Sequence, residues 1–87
     1  MKSHSFIIKS PQGLHARPCT TLAAAAKKFD STVTMTFNGN CFDVCNPISL
    51  MTACVGCNDE IILSVSGNDE DKAMEEFIRI MNEELAE

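Results

Sequence analysis

Alternation between apolar and polar residues predicts the strands of this chain. Residues 5–9, 32–37 and 61–67 each place apolar side chains at every second position, which is the period of a half-buried β-strand. The apolar positions are Phe6 and Ile8 in the first segment, Val33, Met35 and Phe37 in the second, and Ile61, Leu63 and Val65 in the third. Each segment is therefore expected to turn one face toward a core.

The dipeptide Asn38-Gly39 directly follows residues 32–37 and is a strong signal for a two-residue β-hairpin. A turn of this kind also fixes the register of the two strands. It pairs Phe37 with Asn40, Met35 with Phe42, and Val33 with Val44. Because the apolar faces coincide in this register, a further strand is predicted after the turn.

Three segments have features of helices. Residues 16–29 place Leu22, Ala26 and Phe29 on one face, and residues 23–26 are all alanine, a residue of high helix propensity. Lys27 and Lys28 suit the negative end of this helix. A short helix is predicted with Asn46 as its N-cap, Pro47 at its first position, residues 48–55 following and Gly56 as its stop signal.

The third helix is predicted to follow the last strand, with Asn68 as its cap and Asp71 three residues later. Its apolar stripe consists of Met74, Phe77, Ile78, Met81 and Leu85, and we interpret the stripe as core. The element order is thus β-α-β-β-α-β-α in one domain spanning residues 1–87. An α+β fold with an antiparallel sheet and helices on one face satisfies this order.

The hexapeptide Gly13-Leu14-His15-Ala16-Arg17-Pro18 carries the clearest chemical signal. A helix that begins near Ala16 leaves its first backbone N–H groups unpaired at the positive end of the helix dipole, where anions bind well. Arg17 adds a guanidinium that can hold an oxyanion with two donors. His15 supplies a nitrogen nucleophile. Together these residues predict a covalent phosphoryl site on His15, steadied by Arg17 and the N–H groups of Ala16 and Arg17.

The chain resembles the histidine-containing phosphocarrier proteins, HPr, of the bacterial phosphoenolpyruvate-dependent sugar phosphotransferase system. The resemblance rests on the 13–18 motif, the Asn38-Gly39 hairpin, the 61–67 strand and the length of 87 residues. It implies an open-faced β-sandwich with strand order 1-4-2-3 and three helices on one face. It also implies a carrier that needs partner enzymes, receiving phosphate on His15 from Enzyme I and passing it to EIIA components without a cofactor.

The resemblance further implies a docking surface on the first two helices, which we assign to Thr20, Lys27, Ile48 and Met51. Many relatives carry a regulatory serine at the start of the short helix, where this chain has Asn46. An amide cannot accept a phosphoryl group, so that kinase switch is expected to be absent. Pro47 also replaces a residue that is usually apolar. Cys19 follows Pro18, and alkylation of an accessible thiol there is expected to slow transfer.

Charge and composition exclude several classes of function. The net charge of -5 argues against nucleic acid binding. No apolar run is long enough to span a bilayer and the start lacks a signal peptide, so we expect a cytoplasmic protein. We also expect it to be a monomer. The odd number of five cysteines favours free thiols.

Two alternatives remain open from the sequence. The chain could be a regulatory adaptor, of the nitrogen or catabolite-control type, that signals through phosphorylation of His15. A weaker alternative is a thiol redox or metal site at Cys54 and Cys57, which form a C-x-x-C motif. A zinc site would need two further ligands, and only Cys41 and Cys45 lie near in sequence, so no metal is expected.

Overall fold

Four strands and three helices form the described part of the chain. The computed structural model describes residues 1–14 and 16–84. The elements are β1 (Lys2–Ile7), α1 (Ala16–Ala26), β2 (Ser31–Phe37), β3 (Asn40–Asp43), α2 (Pro47–Thr52), β4 (Glu60–Gly67) and α3 (Glu70–Glu84). This is the element order that the sequence predicts.

The four strands form one antiparallel sheet in the order β1-β4-β2-β3, which confirms the expected topology. β2 enters β3 through Asn38 and Gly39, whose φ angles are 54° and 83°. Positive φ at both central residues is the requirement of a type I′ turn. The predicted register is confirmed as well, since Met35 lies opposite Phe42.

One face of the sheet carries the core and is covered by helices. The inward-facing residues of β2 and β4 are fully buried, namely Val33, Met35, Ile61, Leu63 and Val65. The helices contribute Leu22, Leu50, Phe77 and Met81 to the same cluster. Met74, Phe77 and Met81 of the α3 stripe are buried in the core, as predicted, and Ile78 is half-buried against it. The last member of the stripe, Leu85, lies outside the described residues.

The other face of the sheet carries mainly serine and threonine. The register places Ser5, Ile62, Thr36 and Cys41 in one row across it. Ile7 and Ile62 interrupt this polar surface, with exposed fractions of 48% and 40%. No helix within residues 1–14 and 16–84 covers this face, so the arrangement is the expected open-faced sandwich.

β1 and α1 have other bounds than predicted: β1 covers Lys2–Ile7 rather than residues 5–9, and α1 ends three residues early. β1 begins at Lys2 rather than at residue 5, since β4 is long enough for Lys2 to pair with Val65. α1 ends at Ala26 rather than at Phe29. The N–H groups of Lys28 and Phe29 bond three residues back, at 3.1 and 3.4 Å, so the chain tightens into a turn there.

The expected stop signal of α2 is wrong. The helix ends at Thr52 with Ala53 as its C-cap, and Cys54 takes the left-handed conformation with φ of 58°. Glycine usually fills this role. Gly56 instead lies two residues further on, outside the helix.

The expected cap of α3 is also wrong. The first helical hydrogen bond runs from the Ala73 N–H to the Asp69 carbonyl at 2.9 Å, so Asp69 is the N-cap residue. The Asn68 side chain instead donates to Asp30 at 3.4 Å. The Asp69 carboxylate accepts from the Ser31 hydroxyl and the Asp30 N–H, which lowers the pKa of this carboxyl. The loop before β2 is thereby bound to the start of α3.

Asn46 caps α2 as predicted, accepting hydrogen bonds from the N–H groups of Ile48 at 3.0 Å and Ser49 at 3.4 Å. We expect Asn46→Ala to lower the free energy of unfolding by about 1 kcal/mol, since two N–H groups lose their acceptor. Asn46→Ser, which keeps an acceptor, should stay close to the parent. Urea unfolding of the three proteins measures the difference, and equal midpoints for Asn46→Ala and the parent contradict it.

Candidate functional site

The loop that leads into α1 is fixed by glycine and by a backbone contact. Gly13 has a φ of 69°, and a Cβ at this position would lie 2.4 Å from the Val55 carbonyl oxygen. The next residue, Leu14, is buried and donates its N–H to the same oxygen at 2.9 Å. This loop therefore rests directly on the segment that follows α2, and only glycine fits at position 13.

The first turn of α1 presents the predicted phosphate-binding groups. Ala16 begins the helix, and both Ala16 and Arg17 are exposed. Pro18 and Cys19 are buried beneath them. His15 lies outside the described residues, so its role and those of Arg17 and the backbone N–H groups stay predictions.

The residues assigned to docking all lie at the surface. Thr20 is exposed on α1, and Lys27 is exposed just after its end. The Thr20 hydroxyl donates to the Ala16 carbonyl at 3.0 Å. On α2, Ile48 has an exposed fraction of 68% and Met51 of 39%. α1 packs against α2, so the two elements that carry or precede these side chains are neighbours in the fold.

Acidic and basic residues are separated along the chain. Residues 1–29 contain five of the seven Lys and Arg and no Asp or Glu, whereas residues 30–87 contain all twelve acids. α1 and its approach loop therefore carry positive charge alone. The negative net charge comes from the rest of the molecule.

Cys19 is fully buried, and burial raises the pKa of its thiol to about 11. Its Sγ lies 3.9 Å from the Leu14 carbonyl oxygen. The expectation that alkylation at Cys19 slows transfer depended on an accessible thiol. The folded chain does not offer one.

We expect native Cys19 to react with iodoacetamide at least about tenfold more slowly than Cys41, because only the exposed thiol reaches solvent and the thiolate is the reactive form. Peptide mass spectrometry after timed labelling at pH 8 measures both sites. Labelling in denaturant provides the control, since the two thiols should then react alike. Equal rates in the folded protein contradict the burial.

The other four cysteines are also free thiols. Cys41, Cys54 and Cys57 are exposed and Cys45 is half-buried. Among residues 1–14 and 16–84, no three His, Cys, Asp or Glu side chains lie close enough together to hold a metal ion. In the same part of the chain, no helix is both long and apolar enough to cross a bilayer.

Comparison with known proteins decides the family. The family model described as the PTS HPr component phosphorylation site matches residues 2–83. The chain belongs to the HPr family. It is thus a phosphocarrier of the phosphotransferase-system type, and its three helices on a four-stranded open sheet are the HPr architecture.

Solved HPr structures resemble the chain along nearly its whole length. The histidine-containing phosphocarrier protein of a Mycoplasma is 32% identical with a TM-score of 0.89, over 92% of this chain and 91% of that one. An HPr from Thermoanaerobacter tengcongensis is 26% identical with a TM-score of 0.91, over 100% and 98%. Crh of Bacillus subtilis, a catabolite-repression protein that forms an intertwined dimer, is 27% identical with a TM-score of 0.75, over 98% of both chains.

The contact between the loop that leads into α1 and the segment after α2 was not anticipated from the sequence. Val55 and Gly56 form the surface against which Gly13 and Leu14 lie. Gly13 marks a turn in the sequence, but nothing in the sequence names its partner some forty residues away. Cys54 likewise carries no sequence signal for a left-handed conformation.

Proposed function

We propose that this HPr protein accepts a phosphoryl group on His15 from Enzyme I, which takes it from phosphoenolpyruvate, and passes it to EIIA components. The observation that carries the proposal is the start of α1: exposed Ala16 and Arg17 open the helix directly after the fixed loop. His15 is the residue between that loop and the helix. In sequence, the nucleophile stands between Leu14, whose N–H bonds to the Val55 carbonyl, and Ala16, which begins α1.

The chemistry follows from these groups. A ring nitrogen of His15 attacks phosphorus, a P–N bond forms, and the bond between phosphorus and the donor breaks. The phosphoryl oxygens then accept from the N–H groups at the helix start and from the Arg17 guanidinium. Passing the group to EIIA repeats the exchange in the other direction. In this proposal the chain is a carrier rather than an enzyme, because both half-reactions need a partner.

Phosphoenolpyruvate and Enzyme I together should convert the chain to a singly phosphorylated form. The adduct should be labile in acid and stable in base, as a phosphoramidate is and a serine phosphate is not. Intact-mass spectrometry follows the reaction, with omission of Enzyme I as the control. An unmodified mass after prolonged incubation, or an acid-stable adduct, contradicts the proposal.

The charge pattern and the exposed apolar side chains support docking through α1 and α2. Arg17 and Lys27 favour an acidic partner surface, because opposite charges raise the rate of encounter. Lys28 lies near Glu76 of α3. Ile48 and Met51 supply exposed apolar area on α2, which packs against α1. We propose that the chain docks there as a monomer.

Ile48→Asp should raise the KM of phosphoryl transfer from Enzyme I by about tenfold or more, because it places a charge on apolar contact area. The fold should stay intact. Ile62→Asp is the matched control, since Ile62 is an exposed isoleucine on the open face of the sheet. Steady-state transfer assays with each variant measure KM and kcat. Equal KM values for the two variants contradict the docking assignment.

A second candidate function is a regulatory adaptor that controls another protein according to its phosphorylation on His15. The similarity to Crh favours this class, although Asn46 stands where many relatives carry the regulatory serine. Complementation separates the two candidates. A phosphocarrier restores sugar uptake in a strain that lacks its own HPr, whereas an adaptor does not.

A further inference from the structure

The two thiols of the Cys54-Val55-Gly56-Cys57 motif are exposed, and the relay chemistry does not use them. They flank the dipeptide Val55-Gly56, on which the loop that leads into α1 rests. We call this loop the phosphorylation-site loop. The Val55 carbonyl accepts the Leu14 N–H at 2.9 Å. A Cβ on Gly13 would lie 2.8 Å from the Gly56 Cα. Any rotation of the backbone between the two cysteines therefore acts directly on the loop.

Further contacts bind the other end of the loop to the same segment. The Cys57 thiol donates a weak hydrogen bond to the Lys9 carbonyl, with Sγ and oxygen 3.8 Å apart. The Asn58 N–H donates to the Ile8 carbonyl at 2.6 Å, and the Ile8 N–H donates to the Asp59 carbonyl at 2.9 Å. Residues 54–59, which we call the support segment, thus hold the loop at both ends.

The reduced conformation of Cys54 depends on its neighbours. Its φ of 58° lies in the left-handed region that residues with a Cβ rarely adopt. A disulfide between residues 54 and 57 would close a covalent ring that contains the Val55 carbonyl and the whole Gly56 backbone. It would also require Cα atoms about 4.4 to 6.8 Å apart and a specific dihedral about the S–S bond. The bridge would therefore constrain the same backbone torsions that seat Gly13 and Leu14.

We propose that Cys54 and Cys57 are an oxidisable thiol pair that controls the phosphorylation-site loop, with a low-molecular-weight disulfide as oxidant. One cysteine thiolate attacks the small disulfide, forming a mixed disulfide and releasing one thiol. The second cysteine thiolate then attacks the mixed disulfide at the protein sulfur, forming the 54–57 bridge and releasing the other thiol. The two protein thiols are oxidised and the small disulfide is reduced to two thiols, which take up the two protons.

The bridge is expected to loosen the contact between Leu14 and Val55 and so to displace the residues that follow. Displacing a reacting group by about 1 Å lowers transfer rates by up to about a hundredfold. The effect on transfer rests on the proposed function, whereas the effect on the loop does not. The two effects are therefore measured separately.

The test treats the full chain with glutathione disulfide and maps the product by peptide mass spectrometry. The expected product has a 54–57 bridge and faster hydrogen exchange at the Leu14 amide, by about tenfold or more. Dithiothreitol should reverse both changes. Phosphoryl acceptance from Enzyme I is then compared between the oxidised and reduced protein, and it should fall by about tenfold or more on oxidation.

Two variants complete the design. Cys57→Ser should accept the phosphoryl group at the rate of the reduced parent protein. It should form no bridge and should not respond to the oxidant. Cys41→Ser removes an exposed thiol on the sheet and should respond as the parent does. Absence of the bridge, or a bridge that leaves Leu14 exchange unchanged, overturns the inference. If Enzyme I phosphorylates no form of the chain, the proposed function fails, and the Leu14 amide alone decides on the thiol pair.

Discussion

We expect His15→Ala to accept no phosphoryl group from phosphoenolpyruvate and Enzyme I, because the substitution removes the nucleophilic nitrogen. The chain has two histidines, which supplies a matched control. His4 is exposed on β1 and stacks on Phe6 with ring centroids 4.5 Å apart. His4→Ala should therefore become phosphorylated like the parent.

Intact-mass spectrometry over a time course reads out both variants, and circular dichroism checks that each one is folded. A phosphorylated His15→Ala protein would show that another residue carries the group. Loss of the adduct in His4→Ala alone would move the assignment from His15 to His4. Either outcome contradicts the site proposed for this carrier.

Gly13→Ala should be the most destabilising single-methyl substitution in the loop. A residue with a Cβ at positive φ costs roughly 1 to 2 kcal/mol. The added carbon would also lie 2.4 Å from the Val55 oxygen, and relieving such an overlap costs about 1 to 3 kcal/mol more. A total of about 2 to 5 kcal/mol is a large share of the roughly 5 to 15 kcal/mol that stabilises a domain. Phosphoryl acceptance should fall in parallel, because the loop must move.

Gly39→Ala separates conformational strain from overlap. Gly39 also has a positive φ, of 83°, but a Cβ there meets no atom within 4 Å. Its cost should therefore be about 1 to 2 kcal/mol, with transfer unaffected. Urea unfolding and transfer assays compare the two variants. Equal losses of stability would show that the contact with Val55 contributes nothing.

Local chemistry made some elements predictable. Asn38 and Gly39 have the conformational freedom that a type I′ turn needs, and the alternation on either side leaves one register. Asn46 and Pro47 likewise mark the start of α2 through groups that act within three residues. The 13–18 motif is equally local, which is why the family could be anticipated from it.

The features that could not be predicted from the sequence depend on residues far away in the chain. α2 ends with Cys54 in a left-handed conformation rather than at Gly56, and Val55 is then placed to accept the Leu14 N–H. Asn68 does not cap α3 because its side chain bonds to Asp30. Local propensity describes neither contact.

The position of β4 has a consequence for how the chain folds during synthesis. β1 and β2 do not bond to each other, and both bond to β4. A nascent chain that stops before Glu60 can therefore form the β2–β3 hairpin but leaves β1 without a strand partner. The sheet closes only after about three quarters of the residues have left the ribosome, and the β1–β4 pairing spans some sixty residues. Such non-local pairing slows folding, so the loop between β1 and α1 takes its final shape late.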